Sequence, residues 1–301
     1  MRNDASGRKA WPIRVAGIGI THPDKVWWPK EKITKLDVAE YYASVAPRIL
    51  PWMKNHPLTA ERCPDGMKGE CFFQKDFSAH LPAGVPTRPI AAESTKESVH
   101  YVIGGSKKTL LALVNLGCIA MHVMNCRVDD LDRPEWLAFD LDPASGNFSD
   151  AARSGQLLRK ILEELRLRSF PKTSGGKGLH VFIPLRRGPG QERVRDFALR
   201  VGEEMARRSP DLVTVRMSIR ERRGRVFADW LRNAFGQTVA APYSVRRRLK
   251  APVSTPLHWD EVEPKLDPSS FNLRSIGPRL EGKDPWADFR RSFQVLPELG
   301  P

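Results

Sequence analysis

Apolar and polar positions along the chain alternate between helical and strand-like spacing, which predicts a mixed α/β (α+β) protein. Behind Thr34, apolar residues recur at helical spacing, and Asp37 stands where it would complete an N-terminal helix cap. Residues 13–20 predict one strand, and residues 107–122 predict a helix followed by a strand. Apolar positions in residues 157–165 and 194–205 predict two more helices, the first capped near Ser149 or Asp150.

The apolar run Trp136–Pro143 predicts a buried strand that carries two carboxylates. Side chains alternate along a strand, so Asp140 and Asp142 should lie on the same face. Burying charged groups is costly unless they are paired or bind a cation, and carboxylates are ligands that Mg²⁺ and Mn²⁺ prefer. The pair therefore predicts a divalent metal site, although D-x-D is a short and common pattern that also occurs without a metal.

A glycine-rich loop, residues 171–180, runs directly into a predicted strand. Its glycines would let backbone amides approach a ligand, while Ser174, Lys177 and His180 add a hydroxyl, a cation and an imidazole. The loop is not a Walker A loop, because Gly178 follows the lysine and a strand follows the loop. It predicts a phosphate-binding loop, and the alternative is a glycine-rich hairpin without a ligand.

Other candidate residues lie on predicted strands and turns. Asp229, in a strand predicted for residues 226–230, supplies a third carboxylate. Lys25 lies on a predicted turn and Lys35 at a predicted helix N-terminus, and a phosphate would be favoured at both positions. The alternative is that both lysines are merely solvated. The adjacent residues Phe72 and Phe73 predict one ring packed in the core and one ring free to stack on a base. The alternative is that both rings pack into the core. Arg246, which follows a predicted turn, is a further candidate, and the lone histidine His122 is a weak one.

Composition narrows the functional class. The 49 basic and 35 acidic residues give a net charge of +14, so a polyanionic partner is expected, and charge alone does not separate nucleic acid from acidic lipid or nucleotide. No apolar run has membrane-spanning length and residues 1–9 lack a secretory pattern, so a cytoplasmic protein is expected. The spacing of the four cysteines fits neither a zinc site nor a disulfide framework, so all four are predicted to be reduced thiols.

Several short motifs, taken together and in their order along the chain, resemble those of the polymerase domain of bacterial ligase D, within the archaeo-eukaryotic primase superfamily. The match extends from about Ile18 to about Phe289. The motifs are residues 23–26, 62–66, 72–75, 139–143, 173–180, 229–233 and 241–246. Any one of them is a weak signal, but together they are specific.

The resemblance implies a fold and an activity. The fold would be one domain, residues 13–301, in which an RNA-recognition-like sheet faces a second sheet across the active site. Its parts would be an N-terminal lobe (about 13–125), a catalytic lobe (about 126–266) and a C-terminal wrap (about 267–301), after a flexible tail of residues 1–12. The activity would be template-dependent nucleotidyl transfer to a primer 3′ hydroxyl at DNA ends or gaps, with ribonucleotides, rather than deoxyribonucleotides, as the substrate that relatives suggest.

The resemblance also implies roles for the candidate residues. Asp140, Asp142 and Asp229 would bind two divalent ions, Mn²⁺ or Mg²⁺. Ser174, Lys177, His180 and Arg246 would hold the triphosphate of an incoming nucleotide. Lys25 and Lys35 would recognise a downstream 5′ phosphate, and Phe72 and Phe73 would stack near the template. His22 replaces an asparagine that is common in relatives.

The resemblance further implies a bacterial, nucleoid-associated protein that works on gapped or broken double-stranded DNA. Ligase and nuclease modules are expected to be absent, so Ku and a separate DNA ligase are the expected partners. Three alternatives stay open. A metal-dependent nuclease also uses clustered carboxylates, a DNA-end binding module would need only the basic and aromatic residues, and a sugar transferase would leave the net charge unexplained.

Overall fold

Two β-sheets with helices packed on them form the protein, seen here in a computed structural model that describes residues 13–79, 81–91 and 97–298. The predicted tail, residues 1–12, lies outside the described residues. The strands in chain order are β1 (Ile13–Val15), β2 (Ile18–Ile20), β3 (Val26–Trp28), β4 (Ile33–Thr34), β5 (Pro57–Arg62), β6 (Phe72–Gln74), β7 (Thr87–Ala91), β8 (Ser98–Ile103), β9 (Cys118–Val123), β10 (Trp136–Pro143), β11 (Phe170–Thr173), β12 (Leu179–Pro184), β13 (Val213–Thr214), β14 (Val226–Asp229) and β15 (Val239–Ala240).

The helices alternate with the strands, as the apolar spacing predicts. The α-helices are α1 (Lys35–Met53), α2 (Lys107–Asn115), α3 (Phe148–Glu164), α4 (Gln191–Arg208), α5 (Ile219–Arg222) and α6 (Gly277–Glu281). Short 3₁₀ turns cover Trp230–Asn233, Trp259–Glu261, Pro268–Ser270 and Phe289–Arg291. None of the helices in the described part of the chain is long and apolar enough to cross a membrane.

The first sheet has the order β15-β9-β5-β8-β7, with β6 also paired to β5. Helices α1 and α2 pack together, and both contact β9. The second sheet has the order β11-β12-β10-β14-β13, with α3 and α4 packed against its central strand β10. β1 with β2 and β3 with β4 form small hairpins.

The apolar core also joins the two sheets. Trp136 of β10 and Phe182 of β12 are buried in the cluster that includes Trp52 of α1. Trp286 and Phe289, from the predicted C-terminal wrap, pack on Trp52 with ring centroids 5.2 and 4.7 Å from it. The lobe boundaries at 125 and 266 stay a prediction, and β15 joins the first sheet although it lies in the predicted catalytic lobe.

The cap predicted at Thr34 is confirmed. Its hydroxyl accepts a hydrogen bond from the Asp37 backbone N–H (3.2 Å), and the Asp37 carboxylate accepts one from the Thr34 N–H (2.7 Å). This reciprocal pair satisfies amides that a helix start otherwise leaves unpaired, so α1 begins at Lys35.

Three local predictions were wrong at their boundaries. Residues 13–20 are two strands, because the backbone turns through left-handed conformations at Ala16 and Gly17 (φ 46° and 83°). Helix α3 begins at Phe148, because the side chain of Asn147 caps the backbone N–H of Ser149. The strand predicted for residues 226–230 ends one residue early, and Trp230 starts a 3₁₀ turn.

The prediction of four reduced cysteines was wrong for two of them. Cys63 and Cys71 form a disulfide with their Cα atoms 4.4 Å apart, whereas Cys118 and Cys126 are free and buried. The spacing of these cysteines along the chain matches no disulfide motif and does not reveal their contact. The antiparallel pairing of β5 with β6 brings the two residues together across the intervening turn.

Candidate active site

A cleft of about 430 Å³ lies between the two sheets. The first sheet lines it with Thr59, Phe73 and His122, and the second sheet lines it with Asp140 and His180. The other predicted residues that line this cleft are Asp142, Ser174, Lys177 and Arg246. The predicted metal ligands of β10 and the predicted phosphate-binding loop therefore face one space.

The register of β10 brings the three carboxylates to one face of the second sheet. Asp140 lies directly opposite Asp229 on β14, and Asp142 lies two residues further along the same strand. The Nε atom of Arg232 is 3.3 Å from Asp140 Oδ2 and 3.1 Å from Asp229 Oδ2. The guanidinium of Arg222 is 3.3 Å from Asp142 Oδ2. Each carboxylate is thus held by an arginine.

The two facing carboxylates have opposite pKa shifts. Burial opposes ionisation of Asp140, but the neighbouring His180, Arg232 and Arg246 hold its pKa well below the usual range. Burial raises the pKa of Asp229 to about 6 against the attraction of Arg232, and the charge of Asp140 adds to the rise. Negative charge is concentrated here, and it is balanced by cationic side chains.

The donor chemistry of the three aspartates fits a divalent metal, because carboxylate oxygens are the ligands that Mg²⁺ and Mn²⁺ prefer. In residues 13–79, 81–91 and 97–298, however, no group of three or more His, Cys, Asp or Glu side chains is arranged to hold a metal ion. The carboxylates are instead paired with Arg222 and Arg232. A metal ion at these oxygens would compete with those ion pairs.

The glycine-rich loop is a tight turn between β11 and β12, held together by Ser174. The Ser174 hydroxyl accepts hydrogen bonds from the amides of Gly176 (3.2 Å) and Gly178 (3.1 Å). Gly178 needs to be glycine, because a Cβ there would lie 2.7 Å from the carbonyl oxygen of Leu141. Ser174 therefore shapes the loop, while the exposed side chain of Lys177 lines the cleft beside it.

His180 and Arg246 lie deeper in the cleft. Arg246 donates a 2.8 Å hydrogen bond to the carbonyl of Ser174, which ties the loop to the segment after β15. His180 Nε2 is 3.4 Å from Asp140 Oδ1. Burial, with the nearby Lys172, lowers the pKa of His180 to about 4, so the ring is neutral at pH 7.

Three buried polar atoms in the cleft have no hydrogen-bond partner within the described residues. They are Thr59 Oγ1, His122 Nε2 and Arg246 Nε. Buried polar groups are rarely left unpaired, so each is a place where a bound molecule would supply a partner. The weak candidate His122 therefore belongs to the same site as the stronger ones.

Lys25 and Lys35 lie outside this cleft and close to each other. Lys25 Nζ contacts Asp65 Oδ1 (2.6 Å) and the Pro64 carbonyl, and Lys35 Nζ contacts the carbonyl of Asn115 (2.7 Å). Burial lowers the pKa of Lys35 to about 8, and the charge of Lys25 lowers it further. Among these contacts only Lys25 has a carboxylate, so an anion beside the partly buried Lys35 would be favoured.

His22 lies on the turn beside this lysine pair. Its backbone has a φ of 48°, in the left-handed region that Asn and His enter more readily than most residues. Its carbonyl accepts a hydrogen bond from the Lys25 amide (3.1 Å). The backbone conformation of this turn therefore suits both the histidine found here and the asparagine expected from relatives.

The prediction that one phenylalanine of β6 packs into the core was wrong. The exposed fractions of Phe72 and Phe73 are 44% and 57%. β6 is an outlying strand that pairs only with β5, and both of its rings lie outside the described apolar core. Phe73 contacts His122 edge to face at a centroid distance of 5.3 Å and lines the cleft, and Phe72 lies under the guanidinium of Arg62.

Two residues of the site were not predicted as such. Arg232 bridges Asp140 and Asp229, and Lys172 contacts Nδ1 of His180, the ring nitrogen that does not face Asp140. Both lie in segments that contain predicted site residues: Arg232 is three residues after Asp229, and Lys172 is two residues before Ser174. A basic residue that close to a carboxylate or to a phosphate-binding loop is the signal that could have found them.

Comparison with known proteins shows the family to which the chain belongs. The model of the family described as LigD, primase-polymerase domain, matches residues 34–286. The chain belongs to this family. The LigD-like relatives include the multifunctional non-homologous end joining protein LigD of Pseudomonas aeruginosa, which is 36% identical over 285 residues, or 93% of this chain and 34% of that protein. The bifunctional non-homologous end joining protein LigD of Bacillus subtilis is 32% identical over 92% of this chain and 45% of its own length.

A solved structure supports the same LigD assignment. The polymerase domain of Mycobacterium tuberculosis ligase D, in complex with DNA, matches with a TM-score of 0.83 and 30% identity, over 92% of this chain and 99% of that chain. The predicted α/β fold and the predicted resemblance are confirmed. The chain spans less than half the length of the two LigD relatives described above.

Proposed function

We propose that this LigD-family chain catalyses template-dependent nucleotidyl transfer at gapped or broken double-stranded DNA in non-homologous end joining. It adds nucleotides, mainly ribonucleotides, to a primer 3′ hydroxyl. The observation that carries the proposal is that the carboxylates of β10, the glycine-rich loop and Arg246 line one cleft between the two sheets. A net charge of +14 suits a nucleic-acid substrate and a triphosphate.

The proposed chemistry divides among the residues of the cleft. Asp140, Asp142 and Asp229 would hold two divalent ions, Mn²⁺ or Mg²⁺, which when bound activate the 3′ hydroxyl and offset charge on the phosphoryl oxygens. Lys177 and Arg246 would bind the triphosphate oxygens as cations. His180, neutral at pH 7, would donate its one N–H, which faces Asp140 in this structure, to the same group without adding charge.

The proposed DNA contacts lie around the cleft. Lys25 and Lys35 would bind the 5′ phosphate of the downstream strand, and the exposed rings of Phe72 and Phe73 would stack on template bases. The name of the Pseudomonas aeruginosa relative includes non-homologous end joining, and the Mycobacterium tuberculosis domain was solved with DNA. Ku and a DNA ligase activity are what this role would require.

The function is tested by incubating a gapped, 5′-phosphorylated DNA with Mn²⁺ and each nucleotide set, and following the length of the labelled primer. The proposal predicts that the primer lengthens, and more readily with ribonucleotides. Shortening of the primer would instead support a metal-dependent nuclease. An unchanged primer, with DNA still bound, would support a non-catalytic end-binding module.

The lysine pair should discriminate between DNA ends. A terminal 5′ phosphate carries about −1.5 to −2 charges, and charge-assisted hydrogen bonds contribute roughly 1.5 to 3 kcal/mol. Affinity for a 5′-phosphorylated gap should therefore exceed affinity for a 5′-hydroxyl gap by about 10-fold to 100-fold. A Lys25→Ala, Lys35→Ala double variant should lose most of this preference, measured by fluorescence anisotropy at one fixed salt concentration.

A Lys265→Ala, Lys283→Ala double variant is the matched control, because it removes the same charge from exposed positions. It should keep the preference for the phosphorylated gap. Extension of a primer-template with no downstream strand should change little in either variant. Equal affinity of the parent protein for the two gaps would contradict the proposed role of Lys25 and Lys35.

The same preference should depend on pH above 8. Lys35 has a pKa lowered to about 8, so it is protonated below that pH and loses its charge above it. The 5′ phosphate, with a second pKa of about 6, keeps its charge across this range. The preference should begin to fall as the pH approaches 8 and above it should decline by up to about tenfold per pH unit, the limit for one proton. A preference that does not change between pH 7 and 9.5 would show that Lys35 does not supply it.

A further inference from the structure

Lys172 is a fully buried lysine that the proposed chemistry does not use. It lies on β11, opposite His180 of β12, with no solvent exposure. Lysine is almost never fully buried unless its ammonium group has partners, because desolvation of a charge is costly. Burial also lowers the pKa of Lys172 well below its usual value, and the charge of Arg246 adds to this effect. Its place in the core therefore calls for a local reason.

The contacts of Lys172 Nζ supply that reason. Nζ lies 2.8 Å from His180 Nδ1 and 2.5 Å from Ser254 Oγ. Ser254 Oγ donates its own hydrogen to the carbonyl of Thr173 (2.8 Å), so it accepts from Lys172. The lysine is thereby anchored on Ser254 and directed at the imidazole.

The other ring nitrogen of His180 faces an acceptor. Nε2 lies 3.4 Å from Asp140 Oδ1, and an ionised carboxylate can only accept. Nε2 therefore carries the hydrogen, and in a neutral imidazole Nδ1 is then an acceptor. Lys172 supplies the matching donor: an ammonium can only donate, and a neutral amine also donates here, because the Asp140 carboxylate opposite Nε2 leaves Nδ1 without a hydrogen.

We propose that Lys172 is a positioning residue that fixes His180 as the Nε2–H tautomer and so keeps one N–H directed into the cleft. A hydrogen bond to one ring nitrogen commonly sets which nitrogen carries the proton and how the ring is oriented. Without Lys172, only the 3.4 Å contact of Nε2 with Asp140 Oδ1 would hold the ring, so it could rotate or take up a proton at Nδ1. The part of this proposal that concerns the nucleotide rests on the proposed function, whereas the tautomer does not.

The tautomer can be read directly from the ¹⁵N resonances of the His180 ring, assigned with a His180→Gln variant. The parent protein, without nucleotide or DNA, should show a protonated Nε2 and an unprotonated Nδ1 whose resonance carries the upfield shift of a hydrogen-bond acceptor. A protonated Nδ1, or an Nδ1 without that shift, would overturn the proposal. This readout needs no variant of Lys172, so it decides the case even if such variants fail to fold.

A Lys172→Met variant, similar in shape but without a donor, tests the consequence. The Nδ1 resonance should move toward the protonated or tautomer-averaged position, and the nucleotide Kd should rise roughly tenfold. Affinity for gapped DNA should not change. Lys160→Met, on the exposed face of α3, is the matched control. A folded Lys172→Met protein with parental ¹⁵N resonances would refute the inference. If the parent protein showed the predicted ¹⁵N resonances but bound no nucleotide, only the proposed function would be contradicted.

Discussion

Replacing any one of Asp140, Asp142 or Asp229 by asparagine is expected to reduce primer extension by roughly 1,000-fold or more, because metal-assisted charge stabilisation is worth several kcal/mol. Asparagine keeps the shape of each side chain and removes only its charge. Residues that act as one unit are not additive, so the double variant Asp140→Asn, Asp229→Asn should be about as inactive as either single variant. Single-turnover extension of a gapped DNA at saturating Mn²⁺ measures the effect.

Binding of gapped DNA should survive these three substitutions, since the lysine pair and the exposed phenylalanines lie on other elements. Asp196→Asn is the matched control, because Asp196 is an exposed aspartate of α4 that pairs with its neighbour Arg195. It should extend primers at the parental rate. A variant at Asp140, Asp142 or Asp229 that extends nearly normally would remove that residue from the proposed metal site.

Loss of the triphosphate contacts should give the second large effect. Lys177→Ala, His180→Ala and Arg246→Ala should each weaken nucleotide binding by roughly 10-fold to 100-fold, the range for a charge-assisted hydrogen bond, with His180 at the lower end because its ring is neutral. Arg246→Ala should be the most damaging, because Arg246 also holds the loop through the carbonyl of Ser174. Isothermal titration with a non-hydrolysable ribonucleotide measures these affinities.

The control for this series is Lys265→Ala, which removes one lysine whose side chain is 86% exposed. Its nucleotide affinity should equal that of the parent. Affinity for gapped DNA should be close to parental in all the loop variants. If the Lys177 and Arg246 variants bound nucleotide as tightly as the parent, the glycine-rich loop would be a structural hairpin, the alternative that its sequence leaves open.

Local features of the fold could be predicted because the residues that decide them are close together in sequence. Thr34 and Asp37 cap α1 through contacts three residues apart. The order of apolar segments identified α2, β9 and β10 in the same way. Predictions failed where a single side chain or a backbone turn decides, as at Asn147, which starts α3 earlier than the apolar spacing indicates.

Features that depend on strand pairing could not be predicted from local pattern. Period-2 geometry places Asp140 and Asp142 on one face, but only the register of β10 with β14 sets Asp140 opposite Asp229. The same holds for the exposure of both rings of β6, which follows from its position as an outlying strand paired only to β5. The disulfide between Cys63 and Cys71 likewise depends on the β5–β6 pairing and not on a spacing motif.

The arrangement of charges in the cleft was the least predictable feature. Arg232 lies close to its partner Asp229 in sequence, but its second partner, Asp140, is 92 residues away. Lys172 and Ser254, 82 residues apart, meet only because β11 packs against the segment after β15. Composition showed an excess of positive charge, and tertiary structure decides which of those charges meet the carboxylates.

Template-directed nucleotide transfer in this cleft can be tested by adding a single nucleotide to a 5′-phosphorylated gap. Each of the four bases stands in turn at the templating position, with Mn²⁺ present and all four ribonucleotides offered separately. We predict that each template directs addition of its complementary nucleotide. Addition that ignores the templating base, or no addition at all with any template, would contradict the claim.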